Sequence, residues 1–159
     1  MTAIPASGAY WLRRARLPGA PALADLHIAD GIVAAIAPAG TAAEGVDLAG
    51  GQVWPCFVDV HTHLDKSHIW TRTPNPDGTF AGALAAVAAD RPCWNEADLR
   101  LRMGYSLACA HAHGTAAIRT HLDSQHVNAD TGWRVFRELR DEWSGRIALQ
   151  GASLCPLEA

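Results

Sequence analysis

Lysine is nearly missing from this chain: the 13 basic residues are Lys66 and twelve arginines, and charged residues of either sign make up only 18% of its 159 positions. With a formal net charge of −3 and a pI near 6.2 there is no basic stripe for nucleic acid and no polybasic patch for a membrane surface. The arginine and alanine bias reads as genomic. No run approaches the ~18 apolar residues of a membrane span. The N-terminal MTAIPASGAYWLRRARL lacks a charged stretch leading into an apolar one, so no secretory signal is expected. Cys56, Cys93, Cys109 and Cys155 contain no CxxC pair. They are expected to be free, buried thiols in a reducing cytoplasm. GxGxxG, P-loop and GxSxG strings are absent as well, which removes the common dinucleotide, nucleotide and serine-hydrolase readings.

What is present is apolar and patterned. Hydrophobic residues make up 49% of the chain, enough for an ordinary core. Residues 8–54 read as short strands: Ala9–Leu17, Ala24–Ala29, Ile32–Ala37, Val46–Ala49 and Gln52–Trp54. Asp30-Gly31 between two apolar runs predicts a hairpin, because a tight primed turn needs positive φ. Pro55 marks a change of character. Cys56–Val60 reads as a buried strand running into HTHLDK, followed by a Pro- and Gly-rich loop over residues 71–79 and an Ala-rich helix from about Phe80 to Ala89. Asn95 is placed to cap the next helix, with Trp94 and Leu99 as its hydrophobic staple. Leu99, Met103, Leu107 and Ala110 share one face of that helix, and Gly114 ends it. A strand at Ala116–His121, a helix from about Gly132 to Trp143 and a strand at Arg146–Leu154 complete a strand–helix alternation that predicts parallel βα units. No internal repeat stands out.

The informative pattern is His61-Thr62-His63 at a strand end. Side chains two apart on a strand share a face, so both imidazoles can converge on one ion. Neutral imidazole suits Zn²⁺ or Fe²⁺. The bland alternative is two ordinary histidines at a strand end. His111 and His113 repeat the spacing on a predicted helix, where two residues is about 200° around the axis and no ion can be shared. His27, His68 and His126 have no partner pattern.

WPCFVDVHTHLDK (54–66) resembles the PGFVDxHxHLD signature of amidohydrolases. HGTAAIRTHLD (113–123) is similar to the second-strand segment of the cytosine deaminase branch, and the strands with their DG hairpin resemble the small β domain that precedes the barrel there. Cys56 stands where the signature has Gly. The resemblance runs from about residue 8 to the end.

It implies an α/β chain with part of a small β-sandwich domain at 1–54, then the first two to three βα units of a truncated (β/α)₈ barrel at 55–159. It implies one divalent metal, Zn or Fe, held by His61 and His63 with a later His and Asp, and a later Glu passing the proton as water attacks the C–N carbon of a cyclic amidine or amide. Those later groups are expected beyond Ala159, since such a barrel needs about 250 residues. Two imidazoles do not replace three protein ligands and a water, so these residues alone are expected to be inactive. The alternative is a non-catalytic remnant acting through interaction or weak metal binding.

Arg119, His121 and Asp123 alternate along and past the second strand. The family reading makes them pocket-lining groups or partners of the ligands, and the plain reading is an ion pair at the strand end. Lys66 either reaches the site or pairs with Asp65. The family's substrate glutamine falls near Pro156-Leu157, where this chain has Leu157, which puts cytosine itself in doubt. The implied partner is a small nitrogen heterocycle or amide, not nucleic acid or membrane, and the resemblance leaves homo-oligomerisation of a full-length parent open.

Overall fold

Tight turns and two register shifts organise the first part of the chain. The structure, a computed structural model, describes residues 4–5 and 7–155. It divides into two compact units, residues 1–55 and 56–159.

In the first unit, strands β1 (Tyr10–Arg16), β2 (Leu23–Ala29), β3 (Ile32–Pro38) and β4 (Val46–Asp47) form a sheet of order β3-β2-β1-β4. The β2–β3 hairpin turns on Asp30 and Gly31, both at positive φ (51° and 76°), as the DG pair predicts. The segment at Gln52–Trp54 forms only an isolated bridge between Gln52 and Arg16. Leu12, Ala15, Leu26, Ile28 and Val46 make the core.

The register of β1 slips between Leu12 and Ala15, where Arg14 sits at φ 52°. This bulge frees the Arg14 amide to donate to the Asp25 carboxylate at 2.9 Å, which also accepts from Gly40 N (3.0 Å) and Ala42 N (2.9 Å). A buried carboxylate with three backbone donors stays ionised. The Ala42 and Arg14 amides hold it below the usual range, against the opposing effect of burial.

The second unit holds three parallel strands, β5 (Phe57–Thr62), β6 (Thr115–Asp123) and β7 (Ala148–Leu154), in sequential order. Helices α1 (Phe80–Asp90) and α2 (Glu96–Ala112) connect β5 to β6, and α3 (Ala129–Glu142) connects β6 to β7. Asn95 caps α2 through its side chain, accepting from Asp98 N at 3.0 Å, and Trp94 and Leu99 are buried in one cluster. Along β6, Ile118, Thr120 and Leu122 turn inward to meet Leu99, Met103, Leu107, Phe136 and Leu139. Arg119 and His121 occupy the opposite face by the period of two.

Gly151 lets β7 approach α3: a Cβ there would lie 2.8 Å from the Phe136 ring. Among the described residues β5 pairs on one side only, and Phe57, Val58 and Val60 are exposed. The cysteines are free, as expected, but their predicted burial is wrong: Cys56, Cys93 and Cys155 are exposed and Cys109 is half-buried. Each lies at an element end or on an outward helix position rather than in the core face.

Asp25 gives the first unit an acid limb. Its folded pKa lies below the unfolded value near 4, so its stabilisation is present above that value and lost as pH falls through the folded pKa. Asp25→Asn is expected to lower the thermal midpoint at pH 7 by several degrees and to flatten the fall in midpoint on acidification. Thermal unfolding by circular dichroism across pH 2–7 checks both.

Candidate metal centre at the ends of β5 and β6

The four residues Thr-His-Leu-Asp occur twice, at 62–65 and 120–123, and the register Thr62↔Thr120 sets the two copies side by side. Alternation then places His61, His63 and His121 together. His61 Nε2 and His63 Nε2 lie 3.4 Å apart, with ring centroids 5.3 Å apart and planes at 66°. The His121 ring stacks on His61 at 4.2 Å and lies 5.5 Å from His63.

A separation of 3.4 Å is long for a nitrogen–nitrogen hydrogen bond. It matches two ligands about 2.0–2.1 Å from a tetrahedral ion, whose nitrogens stand about 3.3–3.4 Å apart. Burial pushes the His63 imidazole below its ordinary pKa, with the Lys66 ammonium adding to the effect. The ring is therefore neutral near pH 7, the form that binds metal. The Nδ1 atoms of His63 and His121 are buried without a partner. Among the described residues no group of three or more His, Cys, Asp or Glu side chains is arranged to hold an ion. His121 offers a stacked face to His61, not a third converging nitrogen.

The turn after β5 is held by the second THLD copy. Leu64 N donates to the buried Thr120 hydroxyl at 3.0 Å, and Asp123 N donates to Asp65 Oδ2 at 2.8 Å. Asp65 is buried, and its carboxyl is pushed up to about 6 by burial, with the Asp123 charge adding to the rise. Lys66 pairs with Asp123 (Nζ to Oδ1 2.6 Å) and not with Asp65, and Arg91 Nη2 reaches the other Asp123 oxygen at 2.8 Å. Burial acts to raise the Asp123 carboxyl, but these two cations outweigh it and hold it below the usual range.

From α2, the buried Arg102 donates from Nη1 to the Asp65 and Ser67 carbonyls at 2.6 and 2.9 Å. Arg102 is itself fixed by Asp98, which Arg72 also contacts, and Arg72 pairs with the buried Asp90 beside Trp94 Nε1.

Of the three residues expected at the second strand, His121 joins the histidines and Asp123 forms the ion pair. Arg119 does neither: its guanidinium spans to Gln150 on β7 (Nε 3.1 Å, Nη2 2.8 Å). His111 packs edge-on to Trp143, while His113 Nδ1 contacts the Cys109 carbonyl, so they share no ion. Thr120, Arg91 and Arg102 were not singled out from sequence, and Asp65 was named only as an alternative partner of Lys66; the repeated THLD string was the available signal for Thr120 and Asp65. Leu157 lies outside the described residues.

Parallel strands with polar side chains gathered past their carboxyl ends define an α/β protein of the class that binds ligands at that end of the sheet. The model of the amidohydrolase family matches residues 44–140, and the chain belongs to that family. It is 52% identical over 139 residues to a pterin deaminase of Rhizobium rhizogenes, covering 85% of this chain and 32% of that protein. The 5-methylcytosine deaminase of Klebsiella pneumoniae liganded with 5-fluorocytosine superposes with TM-score 0.75 at 25% identity, over 90% of this chain and 36% of that one. The N-isopropylammelide isopropylaminohydrolase of Burkholderia multivorans gives 0.69 at 26% identity, over 92% and 37%. The chain thus spans about a third of the length of the relatives it matches.

Thr120→Val keeps the shape of the side chain and removes the acceptor for Leu64 N. A buried amide without a partner costs about 1–3 kcal/mol. The variant is expected to lose that much stability in urea unfolding, while Thr120→Ser, which keeps the hydroxyl, loses less.

Proposed function

We propose that residues 55–159 carry the first three strands of a (β/α)₈ barrel, preceded by part of a small β domain at 1–54, in a metal-dependent hydrolytic deaminase. His61 and His63 supply two ligands to one divalent ion, Zn²⁺ or Fe²⁺. The observation that carries this reading is the 3.4 Å separation of their Nε2 atoms, His61 on β5 and His63 on the turn that follows it. The unpartnered, buried Nδ1 atoms also fit a polar centre assembled with groups outside these residues. When bound, a divalent ion supplies an acidified water and polarises the carbon under attack.

The residues of this chain hold and orient. The end of β5 and the turn after it set the spacing of the two imidazoles, and the His121 ring restrains His61 by packing on it. Thr120 and Asp65 fix the turn that carries His63. The exposed Phe57, Val58 and Val60 on β5 fit a strand edge that further barrel strands and helices cover.

The substrate class is a nitrogen heterocycle with an exocyclic amine, and pterin is favoured by the relative at 52% identity. With two ligands in hand, residues 1–159 by themselves are not expected to turn substrate over.

A chimera tests this: residues 1–155 of this chain joined to the remaining two-thirds of the Rhizobium pterin deaminase, loaded with Zn²⁺ or Fe²⁺. It is expected to release ammonia from pterin, and His61→Ala or His63→Ala to reduce release to background. Zn²⁺ titration of the 159-residue chain by calorimetry is expected to show weak binding that either substitution removes. A chimera that keeps its activity without His61 and His63 would overturn the proposal.

A further inference from the structure

Helix α2 is apolar on two opposite sides. Leu99, Met103 and Leu107 face the sheet and are buried in the core of the second unit. Two residues along an α-helix is about 200° around its axis, so Leu101 and Tyr105 are turned away from that core, 74% and 58% exposed. Ala108 and Ala112 continue the same line and are exposed as well. The spacing of four, three and four residues is that of a helix face packed on another helix. The charged side chains of α2 lie elsewhere: Glu96 and Arg100 turn to α3, and Asp98 and Arg102 to the strand-end network.

Trp70, 61% exposed, widens the strip across a shallow cleft that it lines with His68, Leu101 and Tyr105. His68 sits at φ 58°, uncommon outside glycine, and its ring meets Tyr105 edge-on with centroids 4.9 Å apart. Tyr105 is thus held before anything docks, which lowers the entropy cost of docking.

A helix that is apolar all round is normally covered all round. Further βα units pack on a sheet beside the helices already there, so they cover the flanks of α2 and not the side turned away from the sheet. A lipid surface fits poorly, because membrane-surface helices carry free Lys or Arg around the apolar face. Here Arg72 and Arg100 are both paired with carboxylates.

The strip is complementary to itself. Its large residues, Leu101 and Tyr105, occupy one half, and its small ones, Ala108 and Ala112, the other. Antiparallel pairing about a two-fold axis between Ser106 and Leu107 sets Leu101 across from Ala112 of a second copy and Tyr105 across from its Ala108. Bulk then meets space at each step, as a two-fold interface requires. The opposed helix dipoles favour this direction over the parallel one. With Trp70 the strip exposes roughly 500 Å² per copy, at the usual size of such side chains. A pair buries roughly 1,000 Å², the size at which specific interfaces begin.

We propose that the outward face of α2, with Trp70, is a homodimer interface in which two copies of this chain pack α2 against α2 in antiparallel register.

Sedimentation velocity on the 159-residue chain without added metal tests this. The wild type is expected to be dimeric at about 100 μM. Leu101→Glu and Ala112→Lys are each expected to raise the dissociation constant about tenfold or more. Both replaced side chains are exposed, so the variants are expected to keep the wild-type circular dichroism spectrum and thermal midpoint. The double variant Leu101→Glu/Ala112→Lys is expected to recover the dimer, because antiparallel pairing sets each glutamate across from a lysine. Parallel pairing would oppose like charges and give no recovery.

A wild-type chain that stays monomeric at about 100 μM overturns the inference. So does a dimer indifferent to both single substitutions, which assigns association to another surface such as the open edge of β5. A double variant that stays monomeric overturns the antiparallel register. Neither His61 nor His63 takes part, so failure of the dimer leaves the metal reading standing, and loss of zinc binding leaves the dimer standing.

Discussion

The candidate centre depends on a clasp between two strand ends. Leu64 donates across to Thr120, and Asp123 donates back to Asp65, so each THLD copy supplies one acceptor and one donor to the other. These bonds are buried, and none can break without leaving a polar group unpartnered away from water. They fix the turn after β5, and with it His63 and Lys66. The Arg102 guanidinium, reaching from α2 to the Asp65 and Ser67 carbonyls, extends the restraint into the helical layer. The β6 core residues Ile118 and Leu122 anchor the other side of the clasp against α2 and α3.

The same clasp puts a carboxyl with a raised pKa, Asp65, directly behind an ionised one, Asp123. Two carboxylates this close repel, and the arrangement is tolerated because Lys66 and Arg91 sit on the outer one. The lone lysine of the chain is thus committed to charge balance at the strand ends. Arginine has the longer, planar reach, and it occupies the positions where two acceptors must be bridged: Arg72 between Asp90 and Asp98, and Arg102 between Asp98 and the turn carbonyls.

Regular elements were the most legible part of the sequence. Asn95 capping α2, the DG turn and the Leu99–Met103–Leu107 stripe are local signals, and local energetics decide them. The helix at 129–142 begins three residues earlier than its apolar pattern, because Ala129 to Thr131 carry no side chain that points to the core and so leave no periodic mark. The cysteines were misplaced for a related reason. A thiol is apolar by composition, but Cys56 and Cys155 flank strand termini, where burial depends on what covers the strand end.

By itself the sequence determined the order of strands and helices, the paired histidines at the end of β5 and membership in the amidohydrolase family. Those properties follow from alternation, capping and motif spacing, which are set by residues near one another in the chain. Only the tertiary structure decided that His121 stacks on His61, that Lys66 turns to Asp123 and not to its neighbour Asp65, and that Arg119 leaves the group for Gln150. Each of these depends on the parallel register of β5, β6 and β7, which is set by packing against α2 and α3 across dozens of intervening residues. A side chain's sequence neighbours limit which way it faces, but its partner is chosen by the strand laid beside it.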